Sequence, residues 1–293
     1  MSLALSSPAK INFFLQVLDK RPDGFHAVRT LMLPIGLADT LTFEPLASDT
    51  LKITCSDSTL STDSSNLVWK AADLLRRTHA PGKGAHIHIE KKIPMGAGLG
   101  GGSSNGSTTL VGLNRLWKLN LADEILEKLS AEFGSDTAFF VRNKPALSEG
   151  RGEILTHLPF PHSFAIVLLN FGFGSATGWA YKNLERRTQN AEQDSSSILE
   201  ALARCDSVIC HLQSAFALQN DLEPPVFKKF PILGIAKEFL IAQKGVLGAM
   251  MCGSGSTIMA VVESEKAGKA LQKEIAKKFG ADIWTWSGST LAS

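Results

Sequence analysis

The sequence is poor in the features that mark a membrane, secreted or nucleic-acid-binding chain. Its longest apolar runs, such as Phe164 to Leu169, fall far below the roughly 20 residues needed to cross a bilayer. Met1 to Leu5 has no basic stretch ahead of an apolar segment, so no signal peptide is expected. Four cysteines, at 55, 205, 210 and 252, make no CxxC pair. They are too few and too scattered for a disulfide framework, which predicts reduced thiols, a cytoplasmic protein, and ordinary packing for Cys205 and Cys210. Neither sign of charge dominates: 30 Lys+Arg stand against 28 Asp+Glu, and no basic stripe gathers, so a dedicated nucleic-acid binder is not expected. Hydrophobic residues at 44% and charged residues at 20% exclude disorder and collagen-like repeats. The 293 residues suffice for two domains at about 100–200 residues each.

From Lys10 to Leu18, Ile11, Phe13, Leu15 and Val17 alternate with Lys10, Asn12, Phe14 and Gln16. Period two predicts a half-buried strand with Lys10 and Asn12 on one face. Further strands are expected at Asp39 to Glu44, Leu51 to Cys55 and Ala85 to Glu90. A helix between the last two would be capped by Ser65 or Asn66 and striped by Leu67, Ala71, Leu74 and Leu75. Residues 94–102 read Pro-Met-Gly-Ala-Gly-Leu-Gly-Gly-Gly and feed a helix bearing Leu110, Leu113 and Trp117. A second helix, Ala122 to Phe133, carries Ile125, Leu126, Leu129 and Phe133 on one side. The composition shifts near His157 to Pro161, which divides the chain into domains 1–160 and 161–293. Beyond it a buried strand is expected from Phe164 to Asn170, an exposed loop at Arg186 to Ser197 and a helix from Ile198 to Cys205. The apolar run Ile258 to Val262 then precedes a helix with Ala267, Leu271, Ile275 and Phe279.

The glycine run is the sharpest local feature. Pro94, Met95, Gly96, Ala97, Gly98, Leu99, Gly100, Gly101, Gly102, Ser103 and Ser104 place Cβ-free backbone ahead of a helix N-terminus, where N–H groups and the helix dipole favour a phosphate. The alternative is a flexible Gly/Ser turn. Gly96 to Gly101 satisfies G-x-G-x-x-G, yet two helices follow instead of a second strand ending in an acid, so a dinucleotide fold is set aside. Gly82-Lys83-Gly84 lacks the spacing of a P-loop. Lys10 and Asp136 are candidates for charge neutralisation and for orienting or deprotonating an attacking hydroxyl; alternatively, Lys10 is a solvated strand residue and Asp136 a turn cap. Phe25-His26 suits a base, or is a hairpin aromatic beside an exposed histidine. His86 and His88 share a strand face, as a metal pair or a solvated face.

Three motifs stand in order: Ser7-Pro8-Ala9-Lys10-Ile11-Asn12, Pro94 to Ser104, and Cys252-Gly253-Ser254-Gly255-Ser256. On these the chain resembles the GHMP kinase superfamily. Arg21-Pro22-Asp23-Gly24-Phe25-His26, Gly98 to Asn105 and Ser148 to Leu155 resemble its branch that acts on a cytidyl-diphosphate-linked methylerythritol. The resemblance implies a two-domain α+β fold, with a ribosomal S5 domain 2-like N-terminal half, a ferredoxin-like C-terminal half and ATP in a cleft between them. It implies transfer of the γ-phosphoryl to the acceptor's 2-hydroxyl, in the non-mevalonate isoprenoid pathway. Asp136 would be the catalytic carboxylate and Lys10 its cationic partner. The loop Pro94 to Ser104 would hold the ATP phosphates, with Asn66 and Lys91 near base and ribose. Asn12, Phe25, His26, Thr177 and Tyr181 would bind the acceptor, His26 reading the cytosine edge and Phe25 and Tyr181, the chain's single tyrosine, sandwiching its ring. Mg2+ would accompany ATP, with no ligand named, and the protein would be a monomer or weak homodimer. Three positions depart from the family pattern: Phe25 for Tyr, Thr137-Ala138 for Val-Pro, and Cys252 for Ser or Thr. Homoserine or mevalonate kinases are the runner-up, and an RNA-binding role on the shared ribosomal fold is the non-enzymatic alternative.

Overall fold

Alternation predicts one solvated face for the first strand, but β1 (Leu3–Lys20) is buried on both faces from Ser7 to Leu15. Phe14 is fully buried, and Lys10 and Asn12, on the supposed solvent side, are 3% and 2% exposed. An ammonium and an amide withheld from water require partners, which the site supplies. The computed structural model describes residues 2–160, 162–184, 198–200 and 218–291. The loop expected at Arg186 to Ser197, the expected helix beyond residue 200, and Cys205 and Cys210 lie outside these residues.

The chain forms two compact units, each assembled from separate segments: Met1–Lys10, Leu37–Met95 and Gly100–Lys144 make the first, and Ile11–Gly36, Gly96–Leu99 and Pro145–Ser293 the second. Both mix helices and strands, giving an α+β protein.

In the first unit, Thr40–Leu46 of β2 (His26–Leu46) pairs antiparallel with β4 (Gly84–Glu90), and β4 pairs in parallel with β3 (Leu51–Cys55). Parallel neighbours need a crossover, and α1 (Leu67–His79) provides it. Asn66 caps α1, its side chain accepting from the Val68 N–H at 2.8 Å. Leu41, Phe43, Ile53, Ile87 and Ile89 pack on Val68, Ala71 and Leu75 of α1 and on Leu110 and Leu113 of α2 (Gly101–Leu116). His86 and His88 alternate with those isoleucines, and each lies 2.9 Å from the Thr54 hydroxyl. Their face is the solvated one: His88 is 41% exposed, and no group of three or more potential metal ligands occurs among the described residues. The helix α3 (Asp123–Ala131) buries Leu126 and Leu129, but Ile125, expected on the same side, is exposed. One residue is about 100° of helix rotation, which turns Ile125 off the line that Leu126 and Leu129 share. A short helix, α4 (Phe139–Arg142), closes the unit.

In the second unit, β5 (Ala146–Glu149) pairs with Thr30–Met32 of β2 and with β6 (Ile154–His157). A separate antiparallel sheet runs in the order β10-β7-β9-β8, from β7 (Ala165–Asn170), β8 (Val246–Met251), β9 (Ile258–Val262) and β10 (Trp284–Ser289). The helix α5 (Thr177–Lys182) follows β7. Alternate sheet residues Val167, Leu169, Ala249, Met251, Ile258 and Ala260 pack against Val226 of α6 (Glu223–Lys229), Leu233 and Leu240 of α7 (Pro231–Ile241), and Leu271 and Ile275 of α8 (Glu265–Phe279). No helix among the described residues is long and apolar enough to cross a membrane.

Candidate active site

Lys10 and Asp136 meet in the first unit, with Nζ 3.8 Å from Oδ2. The lysine side chain is 3% exposed and the aspartate 40%, so a buried cation faces a carboxylate that a solute can reach. Asp136 stands in the turn between α3 and α4, and two devices fix that turn. The Thr137 hydroxyl lies 2.6 and 2.7 Å from the Ser130 and Gly134 carbonyls, while the Thr137 carbonyl accepts from the Ser107 hydroxyl at 2.7 Å. Arg142 of α4 donates to Glu127 at 2.7 Å and to Glu124 at 2.6 Å, both on α3. Glu127, then Glu124, holds the guanidinium above its ordinary range, so this fork stays charged at any physiological pH.

The same lysine lies against the start of α2. Gly100, its N-cap, has φ 71°, and a Cβ there would sit 2.6 Å from Phe140 Cζ and 3.1 Å from Lys10 Cγ. Backbone conformation and space both exclude a side chain. No side chain caps α2, so its first-turn N–H groups and positive dipole end face an anion's approach. Further along the helix, Ser104 lies 2.7 Å from the Ser7 hydroxyl, which donates to Asn105 at 2.8 Å. Lys91 makes a buried ion pair with Asp39 at 2.8 Å, and Asn66 is occupied in capping α1.

In the second unit, Ala97 and Leu99 are buried on either side of Gly98. Gly98 has φ 77°, and a Cβ would lie 2.0 Å from the Cys252 carbonyl oxygen. That carbonyl belongs to the segment Cys252–Ser256, which buried asparagines hold in place. Asn12 accepts from the Gly253 N–H at 3.1 Å and donates to Thr30 at 2.8 Å. Asn220 donates to the Met251 and Gly253 carbonyls, both at 2.8 Å. The Cys252 side chain is wholly buried.

Also in this unit, the rings of His26 and Tyr181 stack with centroids 5.8 Å apart and planes 23° apart. Thr177 and Tyr181 are four residues apart on α5 and therefore share a face; the Thr177 hydroxyl is 2.9 Å from that of Ser254. Phe25 is 54% exposed, with the Arg151 guanidinium 5.3 Å from its ring centroid.

Three structural contributors escaped sequence reasoning. Asp39 had a readable signal: it shares period-two phase with Leu41 and Phe43, which puts a carboxylate on the core face. Arg142 and Asn220 had none, because their partners are 15 to 33 residues distant.

Residues 66–144 match the GHMP kinases N terminal domain and residues 198–281 the GHMP kinases C terminal domain. The 4-diphosphocytidyl-2-C-methyl-D-erythritol kinase of Citrifermentans bemidjiense is 40% identical over 278 residues, covering 95% of this chain and 96% of that one. A crystal structure of 4-(cytidine 5'-diphospho)-2C-methyl-D-erythritol kinase matches at TM-score 0.81 and 30% identity, covering 99% of this chain and 100% of the other. A homoserine kinase from Cytophaga hutchinsonii shares the fold, at TM-score 0.70 and 18% identity over 99% of this chain and 95% of its own. The three motifs, the two matched domains and the extent of this identity have one reading: the chain belongs to the GHMP kinases, and within them to the family of 4-diphosphocytidyl-2-C-methyl-D-erythritol kinases.

Proposed function

We propose that the protein transfers the γ-phosphoryl group of ATP to the 2-hydroxyl of 4-diphosphocytidyl-2-C-methyl-D-erythritol, yielding the 2-phosphate and ADP, as a step of the non-mevalonate isoprenoid pathway. The observation that carries this reading is the convergence of the Lys10 ammonium and the Asp136 carboxylate beside the uncapped start of α2. Asp136 orients the acceptor hydroxyl and takes its proton as the oxygen–phosphorus bond forms. Lys10 and the α2 N–H groups offset charge on the phosphoryl oxygens as the bond to the departing ADP breaks. The phosphates lie along Pro94 to Ser104, with the ATP base and ribose near Asn66 and Lys91. Mg2+ would accompany ATP and would offset charge on its phosphates. It would be held mainly by phosphate oxygens and water, the hard ligands it prefers, which leaves the Asp136 carboxylate for the acceptor's proton. A small-molecule acceptor, no nucleic acid, a cytoplasmic location and a monomer or weak homodimer complete the proposal. The test is an ADP-release assay with the cytidyl acceptor beside homoserine and mevalonate. ADP formation with the cytidyl acceptor alone is expected, and turnover of only one of the others overturns the assignment.

Two consequences follow for single residues. If His26 reads cytosine, His26→Ala raises KM for the acceptor about 10- to 100-fold, the worth of a lost buried hydrogen bond, and leaves KM for ATP near its original value. Equal effects on both substrates would make His26 a packing residue for Tyr181. Gly98→Ala costs about 1–2 kcal/mol for the left-handed backbone alone, and its methyl group has no room beside the Cys252 carbonyl. The loop must shift, so ATP affinity is expected to fall about 100-fold, as measured by calorimetry; unchanged affinity would mean that residues 96–99 do not hold phosphate.

A further inference from the structure

Asp39 is completely buried, yet it is a carboxylate. Its Oδ1 accepts from the backbone N–H groups of Lys92 at 2.7 Å and Ile93 at 2.8 Å, and its Oδ2 takes the Lys91 ammonium at 2.8 Å. That ammonium also donates to the Ile93 carbonyl and lies 3.4 Å from where a Cβ of Gly101 would be, at the first residue of α2. Three consecutive residues are thus tied to one strand side chain immediately before Pro94. A buried ion pair is poor evidence for stability, because two apolar groups of similar size do as well or better. What the carboxylate provides that an apolar group cannot is direction: two amide hydrogens and one ammonium converge on it, which sets the path of the main chain there.

We infer that Asp39 is a positioning residue for the phosphate loop: its hold on residues 91–93 sets where Pro94 begins and hence how the loop meets α2. The inference rests on the kinase reading given above, since only a bound polyphosphate makes the loop's path matter to function. Asp39 acts through backbone and touches no substrate.

A variant cycle measured by equilibrium ATP binding tests this without the acceptor. Lys91→Met removes the cation but leaves both amide bonds to Asp39. The double variant Asp39→Leu/Lys91→Met removes the clamp while leaving no unpaired buried charge, so it is expected to fold and to melt near the wild type. The ATP dissociation constant should rise in the double variant about 10-fold or more beyond its value in Lys91→Met, while KM for the acceptor stays unchanged. A purely structural Asp39 would shift only the melting temperature, and equal ATP affinity in single and double variants overturns the inference. Should the double variant fail to fold, Asp39→Ala/Lys91→Met replaces it; it too removes the acceptor of both amides without leaving a buried charge, and ATP affinity equal to that of Lys91→Met is equally decisive. A wild type that binds no ATP would remove the kinase reading and the clamp together; a wild type that binds ATP but ignores the cytidyl acceptor would remove only the choice of acceptor.

Discussion

Asp136→Asn is expected to lower kcat about 10²–10⁴-fold, the range for a lost general base, without unfolding the protein. The turn that carries Asp136 is held by Thr137, Ser107 and the Arg142 fork, none of which uses the Asp136 carboxylate. An amide in its place is nearly isosteric, so binding of ATP and acceptor survives while the proton of the attacking hydroxyl loses its destination. The loss should therefore appear in kcat, with both KM values close to wild type. Single-turnover kinetics separate this from slow product release, and near-normal turnover would remove Asp136 from the chemistry.

Lys10→Met is expected to cost about 10²–10³-fold in kcat, comparable to removing one preorganised donor from a developing oxyanion. Methionine is the informative replacement because the lysine stem packs against Gly100, and alanine would add a cavity to the loss of charge. The ammonium is buried and fixed, so it gains most from the charge that moves onto the transferring group, and the effect belongs to the transition state more than to ATP binding. A change confined to KM for ATP would instead make Lys10 a ground-state phosphate contact. Removing Lys10 also removes the cation facing Asp136, so the two effects should not add: the double variant is expected to be only slightly worse than the poorer single one.

Local pattern made much of this protein legible. Asn66 caps α1 as its position before an apolar stripe indicates, and the apolar run Ile258–Val262 is a strand buried along its whole length. The glycine run leads into α2 at Gly101. Failures occurred where burial came from outside the segment. Phe14, Lys10 and Asn12 read as a solvent face because polar residues alternated with apolar ones, whereas the strand is covered on both sides. Ile125 read as core because a four-residue window does not resolve which edge of an apolar stripe meets a neighbour.

The order and spacing of residues were enough, alone, to determine the kind of elements, the glycine run that leads into α2 and the kinship of the chain. These follow from short-range rules: side-chain period, capping and the conformational freedom of glycine. Tertiary structure decided which polar groups converge. Lys10 and Asp136 are 126 positions apart in sequence yet within ion-pair distance, Asn220 closes on a segment beyond residue 250, and Asp39 reaches a loop more than fifty residues away. Such pairings are made by chain segments brought together in folding, and nothing in the local periodicity of either partner encodes the other's position.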